Sequence, residues 1–302
     1  MSGAVGRAAA PRGTVRLWLL AARPRTLPAA VAPVLVGTSL AATQDDFSVL
    51  PFVAALVGSV FIQIGTNLSN DYSDARRGAD TEERLGPVRV TAGGLMPPKR
   101  VLVGTYVAFG VAVVAGLYLA SVAGWELLVV GVASILAGVL YTGGPRPYGY
   151  EGLGELFVFV FFGVVAVVGS YYVQAEELRW EAYALAVPVG LLASAILVVN
   201  NVRDIDTDRR AGKRTLAVKL GRERARRLFA AMVVGSFLVP PLLVPALSPW
   251  LLLTLAALPL VPPLVRTVST HTDGPALNGA LAGTGRLLAI FSLLLSGGLL
   301  LS

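Results

Sequence analysis

Long apolar runs separated by short charged clusters organise the chain. Between successive charges the uninterrupted runs cover residues 26 to 44, 47 to 70, 101 to 125, 127 to 145, 156 to 175, 182 to 202 and 228 to 265. A last run near 281 to 302 carries only Arg286. A bilayer core about 30 Å thick takes about 20 apolar residues of helix, so these runs read as spans. The run from 228 to 265 is too long for one, and Pro245-Ala-Leu-Ser-Pro249 supplies a turn within it. The pattern predicts an all-α integral membrane protein, a bundle of nine transmembrane helices.

Composition supports this reading. The 302-residue chain is 55% hydrophobic before its 33 glycines are counted, and only 14% of it is charged. A soluble domain has about 45–50% apolar residues with glycine included and about 25% charged residues, so an ordinary soluble globular protein is excluded. A net charge of +7 would point to nucleic acid in a soluble protein; here it first reports loop topology. With the N-terminus on the cytoplasmic side, 24 of the 25 Lys and Arg fall on inner segments, and Arg179 alone lies outside. Asp45, Asp46, Glu126, Glu176, Glu177 and Glu181 all fall on outer loops. The positive-inside rule therefore predicts a cytoplasmic N-terminus and leaves no need for a nucleic-acid partner. Trp125, Trp180 and Trp250 sit at outer helix ends, where interfacial anchors belong. The chain has no cysteine, which removes disulfides, thiolate nucleophiles and cysteine metal sites from consideration. Residues 1–15 are expected to be a disordered tail ahead of one membrane domain, 16–302. Arg16, Arg23 and Arg25 interrupt the apolar stretch that a cleaved signal peptide needs.

Chemistry is expected in the two long inner loops and the helix ends that feed them. The second span ends Asn67-Leu-Ser-Asn70-Asp71-Tyr72-Ser-Asp74, with Gly78 and Asp80 beyond. If the helix continues past the membrane, Asn67, Asp71 and Asp74 lie within about 60° of one another. Asp80 falls on the opposite side of a continuous helix, but a break at Gly78 lets the chain fold back. The sixth span ends in Asn200, Asn201, Arg203, Asp204, Asp206 and Asp208. Asn200, Asp204 and Asp208 form an i, i+4, i+8 ladder with Asn201 nearly as well placed, whereas Asp206, about 200° from Asp204, points away. Asn-x-x-x-Asp thus recurs at the inner mouths of two helices, which suggests an internal duplication. Grouped carboxylates at a membrane face default to a functional reading, and hard oxygen donors suit Mg²⁺ with phosphate oxygens completing its shell. Two such sites facing each other would hold a diphosphate between two Mg²⁺ ions.

Asn70-Asp71-x-x-Asp74, with Asp204-x-x-x-Asp208-x-x-x-Gly212-Lys213-x-Thr215, resembles the intramembrane aromatic prenyltransferases of the UbiA superfamily. Arg23-Pro-Arg25-Thr-Leu-Pro28, Gly86-Pro-Val-Arg89-Val-Thr91-Ala-Gly93-Gly94 and Gly212-Lys213-Arg-Thr-Leu-Ala-Val are similar to the branch that prenylates 1,4-dihydroxy-2-naphthoate in menaquinone synthesis. The six-residue step from Asp74 to Asp80, in place of the usual four, is also that branch's spacing. The resemblance runs over roughly residues 16 to 301.

It implies transfer of a polyprenyl group from polyprenyl diphosphate to the naphthoate ring with loss of carbon dioxide. Asn67, Asp71, Asp74 and Asp80 would hold one Mg²⁺, and Asn200 or Asn201 with Asp204 and Asp208 the other. Asp71, Asp74, Asp204 and Asp208 would be the catalytic acids. Arg203 and Lys213 would neutralise the diphosphate, Tyr141 and Arg146 would line its pocket, and Arg23 and Arg25 would also contact substrate. Glu155 reads as an N-terminal helix charge, and His271, in a polar loop, has no expected catalytic role. Two alternatives compete: the same fold with another acceptor such as 4-hydroxybenzoate, and a secondary transporter. Transport sites lie near the bilayer midplane, whereas these acids gather at one membrane face.

Overall fold

A computed structural model describes residues 13–79 and 85–302; the first twelve residues and Asp80 lie outside the described residues. All regular structure among the described residues is helical. In chain order the helices are α1 (Thr14–Ala22), α2 (Pro28–Ala42), α3 (Val49–Arg76), α4 (Pro98–Ala123) and α5 (Glu126–Leu140). They continue with α6 (Gly154–Ala175), α7 (Trp180–Arg210), the short α8 (Leu216–Leu220), α9 (Arg222–Leu243), α10 (Pro249–Thr270) and α11 (Gly274–Leu300). Proline opens α2, α4 and α10, where its missing N–H has no partner to lose. Ser248 caps α10 through the Trp250 N–H, so the predicted Pro245–Pro249 break falls between α9 and α10.

Each apolar run carries a helix, though not every one is long enough by itself to cross a membrane. Among the described residues seven helices are long and apolar enough to cross a membrane, and α1 and α2 together make an eighth if that bent pair is one span. The remaining run folds as α5, whose 15 residues reach about 22 Å, short of the hydrocarbon thickness. The first run is also broken. Arg23 adopts a left-handed backbone (φ 54°), a 3₁₀ turn follows at Pro24–Thr26, and the two helices bend by 54°.

α7 forms the centre of the bundle. Its most apolar window is 72% buried, against 22% for α3, and it packs on α6, α9 and α11. Without a hydrophobic force between helices in lipid, close approach depends on small residues. A Cβ on Gly163 would lie 2.7 Å from the Gly190 Cα, and one on Gly37 would lie 2.2 Å from the Val167 carbonyl oxygen. These contacts seat α6 against α7 and α2. Large apolar residues such as Val103, Tyr106, Val107 and Val114 on α4 stay exposed, as a lipid-facing surface requires.

Candidate active site

The two acidic helices are longer than a membrane core is thick. At 1.5 Å per residue, the 28 residues of α3 and 31 of α7 are about 42 and 46 Å long, which leaves length for the polar last turns that carry the motifs beyond a core of about 30 Å. Both helices end in the same hydrogen-bonded reversal. On α3 the Ala79 N–H bonds the Asp74 carbonyl (3.0 Å) and the Gly78 N–H the Ala75 carbonyl (3.2 Å). On α7 the Lys213 N–H bonds Asp208 (2.9 Å) and the Gly212 N–H bonds Arg209 (3.2 Å). Gly78 and Gly212 take φ of 64° and 73°, the left-handed conformation this cap needs and that glycine adopts without strain. In the second case the reversal turns Lys213 back onto its own helix.

A cavity of about 570 Å³ opens between these ends. Its deeper wall is apolar, with Ala112, Val113, Leu128, Ile135, Phe157 and Phe161. Its mouth is polar, with Asn67, Asn70, Asp74, Arg89, Tyr141, Tyr150, Asn200, Asn201, Asp204, Asp208 and Lys213. Asp74 is buried and takes the Tyr150 hydroxyl on Oδ1 (2.5 Å) and the Arg89 Nη2 on Oδ2 (3.2 Å). The Lys213 ammonium, also buried, lies 3.8 Å from Asp74 and 3.9 Å from Asp208, and 4.7 Å from the Tyr150 ring centre. One cation therefore bridges both acidic motifs and rests on an aromatic face.

Arg203 is held differently. Its fully buried guanidinium grips both carboxylate oxygens of Asp204, with Nε 2.8 Å from Oδ1. It also donates to Asn200 Oδ1 (2.8 Å) and Asn278 Oδ1 on α11 (2.7 Å). Asn201 donates its amide to the buried Glu155 Oε1 (2.8 Å), so Glu155 in the first turn of α6 also fixes an asparagine of the second motif.

The structure brings together Asn67, Asp74, Asn200, Asn201, Asp204, Asp208, Arg23, Tyr141 and Lys213 on the cavity wall. The Asn67 amide nitrogen bonds the Ala22 carbonyl (2.9 Å) and the Thr26 hydroxyl (3.2 Å), which pins the break between α1 and α2. Arg25 and Arg146 are exposed and do not line the cavity. Arg203 is absent from the wall and acts on Asp204 from behind. Asp71 is also absent: its carboxylate accepts the backbone N–H groups of Val90 (3.1 Å) and Thr91 (2.9 Å). Asp206 faces away, as its angle predicted, and pairs with Arg222 at 2.7 Å. Sequence reasoning missed Asn70, which lies four residues before Asp74 and accepts from the Thr142 hydroxyl (2.9 Å). It also missed Tyr150 and the contact of Arg89 with Asp74. Among the described residues no three acidic or histidine side chains converge into a preformed metal centre. The donors on the wall are carboxylate and amide oxygens, a hard set that fits Mg²⁺ with substrate phosphates supplying the remaining ligands.

The sequence model of the UbiA prenyltransferase family matches residues 30–298. The chain is 43% identical over 285 residues to a 1,4-dihydroxy-2-naphthoate octaprenyltransferase of Mycobacterium leprae, covering 94% of this chain and 96% of that one. It is 41% identical over 296 residues to the Escherichia coli protein of the same name, covering 94% and 95%. Among solved structures, the fold is shared with a UbiA homolog from Archaeoglobus fulgidus bound to GPP and Mg²⁺ (TM-score 0.64, 14% identity, 93% and 99% covered). It is also shared with one from Aeropyrum pernix K1 (TM-score 0.69, 13% identity, 89% and 96% covered).

Proposed function

Because this chain belongs to the UbiA prenyltransferase family, we propose that it transfers a polyprenyl group from its diphosphate to 1,4-dihydroxy-2-naphthoate. The product is demethylmenaquinol, in menaquinone biosynthesis. The observation that carries this reading is the cavity: an apolar chamber whose polar mouth is framed by two acidic motifs with a buried lysine between them. Near full-length relatives from two bacterial lineages bear the naphthoate octaprenyltransferase name.

In the reaction the allylic C–O bond breaks and its electron pair leaves with the diphosphate. The ring carbon bearing the carboxylate supplies the pair for the new C–C bond, and the carboxylate departs as carbon dioxide, returning its pair to the ring. Mg²⁺, when bound, would neutralise charge developing on the leaving diphosphate; two ions would be held by Asp74 and Asn70 on one side and Asp204, Asp208 and Asn200 or Asn201 on the other. Lys213 and Arg89 add fixed positive charge at the same mouth, and Tyr150 orients the Asp74 carboxylate. The apolar wall formed by Phe157, Phe161, Ile135 and Leu128 keeps water from the allylic cation. Arg23 and Tyr141, both on the wall, are the groups we assign to the polar end of the acceptor. The excess of cations on the segments that carry the motifs supports a mouth that opens to the cytoplasmic side of the cell membrane.

The test is a transfer assay with purified enzyme, offering 1,4-dihydroxy-2-naphthoate and 4-hydroxybenzoate with a set of prenyl diphosphates. Product from the naphthoate with release of carbon dioxide is expected; product from the benzoate alone would overturn the acceptor assignment.

A further inference from the structure

We propose that Asp71 is a positioning residue, not a metal ligand: it anchors the strap of residues 85–97 so that Arg89 is held against Asp74. Three observations converge on this. First, both carboxylate oxygens of Asp71, which is 2% exposed, are taken by successive strap N–H groups, Val90 on Oδ2 and Thr91 on Oδ1. Charge-assisted bonds of this kind are among the stronger ones, and a cation would have to compete with both.

Second, the two acidic helices can be aligned on their shared C-terminal cap. Asp74 and Asp208 occupy the same position, accepting the reversal N–H of Ala79 and Lys213. Stepping back four residues pairs Asn70 with Asp204, and stepping back seven pairs Asn67 with Asn201; all four line the cavity. Asp71 then pairs with Ile205, a core side chain 2% exposed. The position Asp71 occupies is one that the other helix gives to packing.

Third, the strap is secured at both ends and bears on the site. Val90, beside Arg89, is fully buried against Ala21, Leu68, Met96 and Val101, and its carbonyl accepts the N–H groups of Leu95 and Met96 (2.9 Å each). At the far end the Leu85 carbonyl accepts from Asn278 Nδ2 (3.0 Å), while Asn278 Oδ1 takes Arg203. The strap thus links the second motif, through Arg203 and Asn278, to the first, through Asp71 and Arg89. One peptide separates the Asp71 anchor at Val90 from Arg89, whose Nη2 is 3.2 Å from Asp74. Loss of the anchor lets that guanidinium drift.

The kinetic arm rests on the prenyl-transfer reading; the structural arm does not. In metal-free protein, hydrogen exchange followed by mass spectrometry should show the peptide containing Val90 and Thr91 exchanging faster in Asp71→Asn, and unchanged in Asp74→Asn. In turnover, Asp71→Asn should raise KM for prenyl diphosphate by about tenfold, the worth of one charged hydrogen bond, with the half-saturating Mg²⁺ concentration unchanged. Asp74→Asn should shift that Mg²⁺ concentration. If Asp71 acts through Arg89, the double variant with Arg89→Ala should be no worse than Arg89→Ala alone. Asn278→Ala, which frees the far end with Asp71 intact, should also speed strap exchange and raise the same KM, and it serves if Asp71→Asn does not fold. A large shift in Mg²⁺ dependence for Asp71→Asn with strap exchange unchanged would overturn the proposal, as would additivity with Arg89→Ala. Absence of transfer by the wild type would instead strike the functional reading and leave the exchange result standing.

Discussion

Replacing Arg203 alone should harm the metal-free protein more than replacing Arg203 and Asp204 together. The Arg203 side chain is 1% exposed and that of Asp204 9%. Arg203 donates to Asp204, Asn200 and Asn278 at 2.7 to 2.8 Å, with a further contact to Asp204 Oδ2. Methionine nearly fills the same volume but donates nothing, so Arg203→Met leaves a buried carboxylate uncompensated. Breaking a buried pair in this way costs about 3–5 kcal/mol, whereas removing both charges is often close to neutral. In Arg203→Met/Asp204→Asn only neutral acceptors lose their partner, about 1–2 kcal/mol. The single variant should therefore be less stable than the double by roughly 2–3 kcal/mol, and the coupling in the cycle should exceed that difference by the cost of Asp204→Asn alone. The assay is denaturant unfolding of the four proteins in one detergent, with chelator present. Additivity within about 0.5 kcal/mol, or an Arg203→Met protein as stable as wild type, would refute the assignment of Arg203 as the internal counter-charge of Asp204.

Other expectations follow from the same geometry. Asp74→Ala and Asp204→Ala should abolish Mg²⁺-dependent transfer while circular dichroism retains the helical signal; near-wild-type turnover in either would remove it from the metal set. Lys213→Met takes away the only ammonium bridging Asp74 and Asp208 among the described residues and should raise KM for the prenyl diphosphate by at least about tenfold, with Lys213→Arg less affected. Tyr150→Phe deletes the hydroxyl on Asp74 and should cost about 1–2 kcal/mol of transition-state stabilisation, read as a 5- to 30-fold loss in kcat/KM. Gly37→Leu would drive a side chain into the Val167 carbonyl and should prevent recovery of monodisperse protein from the membrane.

The helical architecture was legible because run length and charge spacing are one-dimensional properties. The apolar runs locate the helices, and the i, i+4 arithmetic for Asn200, Asp204 and Asp208 holds because α7 continues unbroken through Arg210. Span number was less legible: α5 stops after 15 residues, and the 54° bend before α2 comes from Arg23, Pro24 and Pro28 acting with Asn67 on another helix. The first motif shows the limit most clearly. Asn67, Asp71 and Asp74 do share about 60° of helix surface, but so do Asn67, Asn70 and Asp74 on the other flank. Angular arithmetic cannot choose between those flanks, because the choice is made by a strap that arrives from residues 85–97 and occupies Asp71. Arg89 and Tyr150 were out of reach for a related reason: nothing in their local sequence records that two separate loops converge on Asp74.

Among the described residues every acid on the cavity wall already has a basic side chain of the protein for company: Arg89 and Lys213 at Asp74, Lys213 at Asp208, Arg203 at Asp204. At rest the mouth is therefore near electrical balance, and loading it is an exchange of cations, in which Lys213 gives up carboxylates as diphosphate oxygens and metal arrive together. Magnesium offered alone meets occupied carboxylates and brings no anion to receive the displaced ammonium. Free metal should accordingly bind weakly and the metal–diphosphate pair tightly, so that the enzyme senses its lipid donor before it commits an ion to it.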